Sequence, residues 1–314
     1  MRPLLTVIVP VFNDEANILR CLKSLFNQTF SSMEIIVVND ASTDNTLATL
    51  KAYQQEHQFT IVNMPKNSGA GCCRNVGMQN AHAPYVTFVD SDDWIDISTY
   101  TRCFEQISED PDVVIYGLVY DYVAHNHRDE KYRYPRIYKM PGEFALSIYT
   151  HTIPNEISIT PIVNNKVYRR QFLIDNNLFF HEELRYQEDD AFTFEVLARA
   201  NMVIMVDNCY YHYCQRNDSL IHSVSEDSIR SFVNAYLSLE ANLKSANLFE
   251  KNKTAFYLKL KGSLLGVLKR ILDYVPDVRE RNKLIHLLLA LLIEHFDVPE
   301  VLNTIDFSAI RSIL

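Results

Sequence analysis

Leu4-Leu5-Thr6-Val7-Ile8-Val9-Pro10-Val11-Phe12-Asn13-Asp14-Glu15 begins as an almost unbroken apolar, β-branched run and ends in polar and acidic residues. A strand with one face in water alternates apolar and polar positions; a run apolar nearly throughout is buried on both faces. The same signature returns down the chain. Glu34-Ile35-Ile36-Val37-Val38-Asn39 leads into Asp40-Ala41-Ser42-Thr43-Asp44, and a short third strand at 59–62 leads into Asn67-Ser68-Gly69-Ala70-Gly71. Tyr85-Val86-Thr87-Phe88-Val89 leads into Asp90-Ser91-Asp92-Asp93, and a further strand falls at 113–119. Helical spacing fills the intervals. Ile18, Cys21, Leu22 and Leu25 mark one helix; Leu47, Leu50 and Tyr53 mark another behind the N-cap residues Ser42-Thr43-Asp44. A third helix over 68–81 opens on the glycine segment. Strands and helices alternating at this interval predict right-handed crossovers and an α/β fold: a Rossmann-like, mainly parallel sheet flanked by helices.

With 314 residues, the chain has room for roughly two domains of about 150 residues, or for one large domain with an appendage. Residues 121–165 are rich in tyrosine and charge and read as an excursion over the surface. From 225 onward the pattern is helical, through Ile229, Phe232, Val233, Tyr236 and Leu239, then 258–272, then 284–296. Such a tail packs over the sheet or forms a homodimer. Peripheral contact with a membrane surface is the other reading, though the basic face usual for that role is missing. The apolar share of 47% against 22% charged residues supports a sizeable core and excludes disorder as the dominant state. Thirty basic against 39 acidic residues leave a net charge of −9, which argues against a nucleic-acid partner. The six cysteines show no C-x-x-C spacing, so they read as reduced thiols rather than a zinc ribbon or disulfide framework. The opening residues lack a secretory apolar core, and the longest apolar stretch, 284–293, is about half of the ~20 residues a spanning helix requires. These features predict a soluble, cytoplasmic chain.

Open parallel sheets bind ligands beyond the carboxyl ends of their strands. All four polar clusters above stand at those ends. Asp90-Ser91-Asp92-Asp93 is the sharpest, because three carboxylates in four residues repel unless something neutralises them, and hard oxygen ligands suit Mg²⁺ or Mn²⁺. The bland alternative is a solvated acidic loop. Only seven glycines occur, where average usage of about 7% predicts roughly 22, and three of the seven (Gly69, Gly71, Gly77) share one short segment. That segment is neither G-x-G-x-x-G, since Arg74 takes the third glycine position, nor a phosphate loop with Gly-Lys-Ser/Thr. Arg74 and Asn75 there suit approach to a phosphate or sugar oxygen, with helix capping as the plainer reading. A second acidic cluster, Glu188-Asp189-Asp190, precedes Phe192, Phe194, Val196 and Leu197 and marks a helix start, where acidic residues are ordinary. His212, Arg216 and His222 follow between 210 and 225, each open to a metal or phosphate role or to simple packing.

Taken in order, Val7-Ile8-Val9-Pro10-Val11-Phe12-Asn13, Val37-Val38-Asn39-Asp40-Ala41-Ser42-Thr43-Asp44, Asn67-Ser68-Gly69 with Arg74-Asn75 and Gly77, and Phe88-Val89-Asp90-Ser91-Asp92-Asp93-Trp94 resemble the family 2 inverting glycosyltransferases of the GT-A fold. The likeness is dense over the first 100 residues and sparser through Asn165-Lys166-Val167-Tyr168-Arg169-Arg170 and Glu188-Asp189. It implies a catalytic domain over 1–224, with a nucleotide-sugar half at about 1–120 and an acceptor half at about 121–224, and a C-terminal helical region over 225–314. It implies that Pro10, Phe12, Asn13 and Glu15 belong to the nucleotide site, that Asp40 accepts from uracil, and that Asn67, Gly69 and Arg74 lie near base and ribose. Asp90 and Ser91 then face the ribose and metal side, Asp92 ligates Mn²⁺ or Mg²⁺, and Glu188-Asp189 supplies the general base, Asp189, with Asp190 one position away as the alternate. His222 resembles a histidine that touches metal or diphosphate in some relatives. Cys72 and Cys73 depart from the commoner Gly-x-x-x-Ala-Arg-Asn form. The implied activity is metal-dependent, inverting transfer of a hexose or N-acetylhexosamine from a UDP-sugar to a hydroxyl of a saccharide or glycoprotein acceptor at a bacterial surface, with the work done in the cytoplasm or at the inner membrane face.

The residue types suit that chemistry without the family name: a cation for the departing diphosphate, a carboxylate for the acceptor proton. A haloacid-dehalogenase-type phosphatase also uses Asp-x-Asp after a parallel strand, but its motif lies near the chain start and continues in Thr or Val, where Asp93 stands here. A non-catalytic nucleotide-sugar-binding protein would carry a degenerate site, whereas Asp90, Asp92 and Asp189 are all present.

Overall fold

The computed structural model describes residues 2–122, 127–153, 156–184, 186–215 and 224–297. Its strands are β1 (Leu5–Val11), β2 (Met33–Asn39), β3 (Thr60–Asn63), β4 (Tyr85–Phe88), β5 (Trp94–Ile95), β6 (Val113–Tyr122), β7 (His127–Tyr132), β8 (Tyr138–Met140), β9 (Lys166–Arg169) and β10 (Val203–Gln215). Its α-helices are α1 (Ile18–Phe26), α2 (Thr46–Tyr53), α3 (Ala70–Asn80), α4 (Thr99–Phe104), α5 (Gly142–Tyr149), α6 (Arg170–Asp175), α7 (Glu188–Arg199), α8 (Glu226–Ser245), α9 (Phe249–Tyr274) and α10 (Val278–His295).

All ten strands form one mixed sheet in the order β3-β2-β1-β4-β9-β6-β10-β5, with β7 added to β6 and β8 to β10. The half built from β3, β2, β1 and β4 is parallel throughout. Leu5 lies opposite both Met33 and Tyr85, so β1, β2 and β4 start level and run the same way, and the loops that follow them emerge at one rim. β9 starts from a loop at that rim and therefore runs back, antiparallel to β4 and to β6. In the second half the long β6–β10 pair is again parallel, and β9, β7, β8 and β5 add antiparallel pairs around it.

Successive strand residues go to opposite faces. Val7, Val9, Ile35 and Val37 bury with α1, Leu50 of α2 and Tyr100 of α4, while Ile8, Ile36, Val38 and Phe88 bury on the other side. Gly77 lets α3 seat directly on that second face: a Cβ there would lie 2.2 Å from Ile8 Cγ2. Phe232, Tyr236, Phe256, Leu264 and Leu288 of the three C-terminal helices belong to the same continuous cluster, so these helices are a layer of the protein's own core.

The reading of 121–165 as a surface excursion needs correction. β6 continues to Tyr122 and pairs with β7, and α5 buries Ala145, Leu146, Ile148 and Tyr149. Tyrosine is tolerated in that interior because its hydroxyl finds a partner: Tyr134 donates to the Ser158 carbonyl at 3.2 Å and Tyr149 to Asp190. None of the six cysteines is in a disulfide. Among the described residues no helix is long and apolar enough to cross a membrane.

Candidate active site

An open cleft of ≈ 550 Å³ lies at the carboxyl rim of the parallel half. Pro10, Val11 and Phe12, at the end of β1, form part of its wall. The next residues do not reach it. Asn13, held in the left-handed region at φ 48°, accepts from the Thr43 N–H at 2.7 Å, and Glu15 accepts from the Asn45 N–H at 2.8 Å. Asn13 and Glu15 therefore staple the loop after β1 to the loop after β2.

Asp40 lines the cleft, but its two oxygens accept from the backbone N–H groups of Ser68 and Gly69 at 2.7 and 2.8 Å. Gly69 has φ 91°, where a side chain is strained, so the turn into α3 requires glycine at this position. Asn67 and Gly69 belong to this turn and are not part of the cleft lining.

The three aspartates after β4 divide their labour. Asp93 turns inward, accepting from the Tyr211 hydroxyl at 2.5 Å and the Cys214 N–H at 2.8 Å. Burial, with Asp92 and Asp90 adding repulsion, pushes its carboxyl well above the ordinary range. Asp90 accepts from Arg74 at 2.9 Å and from Asn164 at 2.7 Å. Asp92 stands half-buried at the cleft, with its carbonyl held by Arg20. Ser91 donates to Asp14 at 2.6 Å.

Arg74 joins this loop to α7. Its buried guanidinium donates to Asp90, to Asp189 at 2.8 Å and to Glu188 at 3.3 Å. Burial opposes its charge, but the carboxylates around it outweigh that cost and hold its pKa above the usual arginine value. This arginine neutralises an acidic cluster rather than waiting for a phosphate. Asn75 is likewise engaged: it donates to the Phe180 carbonyl at 2.8 Å and accepts from the Phe180 N–H at 2.9 Å, fixing the segment before α7.

α7 begins behind Gln187, whose backbone is left-handed at φ 65°. Its first three residues differ sharply. Burial and the neighbouring Asp189 push Glu188 up to about 7 against the pull of Arg74. Burial likewise raises Asp189, with Arg74 opposing and Asp90 reinforcing the shift. Asp190 is a structural anchor. It pairs with Lys259 at 2.8 Å and accepts from Tyr236 at 2.9 Å, Ser263 at 3.2 Å and Tyr149. Burial works against its charge, yet Lys259 and these donors hold its carboxyl below the ordinary range.

Two residues that stand in the quoted motifs gain a definite part in the site only from the structure. Lys166 is fully buried and donates to the carbonyls of Thr160 and Ile162 at 2.9 and 2.5 Å and to Asn165 at 2.9 Å; burial lowers its pKa to about 7. It thereby holds the loop whose Pro161 and Ile162 line the cleft. In sequence it stands inside the segment Asn165-Lys166-Val167-Tyr168-Arg169-Arg170 with nothing to mark its burial. The other is Trp94, whose ring stacks on His212 with centroids 3.4 Å apart and whose indole N–H donates to Asp121 at 3.0 Å. His212 also lies 2.9 Å from Asp96, which places it among the packed histidines. Arg216 and His222 lie outside the described residues.

Among the described residues no three His, Cys, Asp or Glu side chains gather as a metal cage. The donor set nevertheless fits a hard cation. Magnesium and similar ions are commonly held by one or two carboxylates and completed by substrate phosphates and water, and Asp92 with Asp90 offers that at the cleft.

Residues 6–172, more than half of the chain, match the model for glycosyl transferase family 2, and the chain belongs to that family. Among curated proteins it is 29% identical over 260 residues to the poly(ribitol-phosphate) beta-N-acetylglucosaminyltransferase TarS of Staphylococcus aureus, covering 79% of this chain but 42% of TarS. The chain thus spans about two fifths of that relative's length. It is 27% identical over 262 residues to the putative glycosyltransferase EpsH of Bacillus subtilis, covering 79% of this chain and 72% of EpsH. The fold matches that of S. aureus TarS 1-349 in complex with UDP-GlcNAc, with TM-score 0.62, 22% identity, and coverage of 93% and 89% of the two chains. It also matches the mannosyltransferase PcManGT of Pyrobaculum calidifontis in complex with GDP-Man and Mn²⁺, with TM-score 0.54, 16% identity, and coverage of 97% and 84%.

Proposed function

We propose that the protein transfers a hexose or N-acetylhexosamine from a UDP-sugar to a hydroxyl of a saccharide or glycoprotein acceptor, inverting the anomeric centre, with Mn²⁺ or Mg²⁺ bound. The observation that carries this reading is the single guanidinium of Arg74, which holds Asp90, at the Asp-x-Asp loop, and Asp189, at the start of α7, on one side chain in one cleft. Asp189 takes the acceptor proton. Burial raises its carboxyl above the ordinary aspartate value, which suits a general base, and Asp190 is fully engaged elsewhere. As the acceptor oxygen bonds to the anomeric carbon, the bond from that carbon to the diphosphate breaks and UDP departs with the electron pair. Asp92, with Asp90 beside it, would hold the cation, which would supply positive charge to the departing diphosphate. Pro10, Phe12 and Asp40 contribute the nucleotide side, and Arg74 keeps the carboxylates together against their mutual repulsion.

Residues 1–224 are assigned as the catalytic unit, the first 120 for the nucleotide-sugar and the rest for the acceptor, with α8, α9 and α10 of the C-terminal region as its cover. UDP-GlcNAc, named in the TarS complex, is the first donor to try. The work is assigned to the cytoplasm or the inner membrane face, where the exposed Leu289 and Ile293 of α10 are candidates for a membrane or homodimer contact.

A phosphatase of the haloacid dehalogenase type would need Asp90 as its nucleophile, and the ion pair with Arg74 at 2.9 Å weakens it in that role. Thermal-shift titration separates the two readings. UDP with Mn²⁺ should raise the melting temperature, since a ligand at about 100 times its Kd adds about 2.7 kcal/mol to the folded state, and Asp92→Asn should abolish the metal-dependent part. A shift with phosphate and Mg²⁺ but none with UDP and Mn²⁺ would hand the protein to the phosphatase reading.

A further inference from the structure

The cleft is lined by two cations among the described residues, Arg74 and Arg270. Arg74 is spent on Asp90, Glu188 and Asp189. Arg270 is different. It lies on α9, far along the chain from every motif read in the sequence, and no carboxylate among the described residues pairs with it. Val267, one turn earlier on α9, and Ser228 and Phe232, one turn apart on α8, line the cleft with it. These two helices contribute an apolar and hydroxyl surface with one cation, while the loops after β1, β2 and β4 contribute the acidic side.

Arg270 is half-buried with no counter-charge among the described residues, so its guanidinium is available to an anion that a ligand brings into the cleft. Burial lowers the Arg270 pKa below the usual arginine value, with Tyr274 alone opposing the shift. A guanidinium is the side chain best matched to a phosphate, which it grips through paired N–H donors. A neutral sugar gives it no such partner. The donor's diphosphate has its own partner in the cation assigned to Asp92, whereas among the described lining residues Arg270 is the one cation not already paired with carboxylates.

We propose that Arg270 binds a phosphate carried by the acceptor, so that the acceptor is a phosphate-bearing chain, such as a polyol-phosphate or sugar-phosphate oligomer, rather than a neutral glycan. The inference rests on the glycosyl-transfer reading and narrows its acceptor class. Arg270 acts by holding the acceptor, with Phe232 and Val267 packing against the carbon skeleton next to the phosphate, and the reacting hydroxyl is thereby presented to Asp189.

The test uses the full chain and two probes measured separately by calorimetry: UDP with Mn²⁺, and a glycerol-phosphate oligomer, with a neutral chito-oligosaccharide as control. Arg270→Ala should leave UDP affinity unchanged and weaken the phosphate oligomer about tenfold or more, the loss of one charge-assisted contact. Arg270→Lys should recover part of that affinity, because it restores the charge without the paired donors. Transfer assays should show the effect in KM for the phosphate-bearing acceptor while kcat stays near normal. Three outcomes overturn the inference: wild type binding the neutral oligosaccharide but not the phosphate oligomer, Arg270→Ala losing UDP affinity instead, or Arg270→Ala changing neither. Failure of wild type to bind UDP would overturn the glycosyl-transfer reading itself, and it is read in the first titration, before any acceptor is added.

Discussion

Glu188, Asp189 and Asp190 are consecutive carboxylates with three different fates, and their order along α7 decides each one. Asp189→Asn removes the assigned base while keeping its size and its hydrogen bond from Arg74. Transfer should fall by about 10²-fold or more with UDP binding unchanged, as UDP-release kinetics beside calorimetry would show; an active Asp189→Asn would remove the residue from its role. Glu188 gives a pH signature. Its pKa is 4.5 in an ordinary environment and about 7 in the folded protein. Between those values the folded chain keeps a proton that the unfolded chain has lost, so this group's contribution to stability declines as pH rises from 4.5 to about 7. Denaturant melts across that window should show a steeper loss for wild type than for Glu188→Gln. The Asp-x-Asp loop, the glycine turn and the acidic trio were legible in the sequence because each is a short run of one unusual composition. The partners that give them meaning were not. Asn13 meets Thr43, and Arg74 meets Asp189, only once loops thirty and more than a hundred positions apart converge.

At the scale of elements, α7 is held by what surrounds Asp190. Tyr149 comes from α5, Tyr236 from α8, Lys259 and Ser263 from α9, and all of them meet that carboxylate. Asp190→Asn leaves the half-buried Lys259 beside a neutral amide and should destabilise the protein by on the order of 3 kcal/mol, whereas Asp189→Asn should melt close to wild type. Urea denaturation of the two variants side by side checks this, and equal melting would dissolve the distinction drawn between neighbours. The β1–α1–β2–α2 alternation and the three long C-terminal helices were legible because their apolar spacing runs unbroken. β10 was not. Its thirteen residues are broken near Asp207 and Asn208, where Asn208 is left-handed at φ 56° and the pairing with β6 shifts between Met205 and Tyr210. A bulge of that kind erases the period on which a strand is recognised. α5 was hidden for another reason: eight residues give barely two turns, and its tyrosine reads as surface until Asp190 is placed beneath it.

For the molecule as a whole, one apolar cluster runs from Ile8 and Phe88 on the sheet through Phe192 on α7 to Phe256 and Leu288 in the C-terminal helices. A chain cut after residue 224 would bare that face, so it should be insoluble or should melt without a cooperative transition, while the full chain should unfold in one step followed by calorimetry and circular dichroism alike. A soluble, cooperatively folding 1–224 fragment would show that the helices are a separable cover. Trp94 gives the intact protein one more property. It is the chain's single tryptophan, placed two positions past Asp92 and stacked face to face on His212. Excited at the red edge of the absorption band, where tyrosine is dark, the unlabelled protein emits from this one indole alone. Any rearrangement of the acidic loop that slides the two rings apart will alter the quenching, so the enzyme carries its own optical gauge of occupancy beside the cleft.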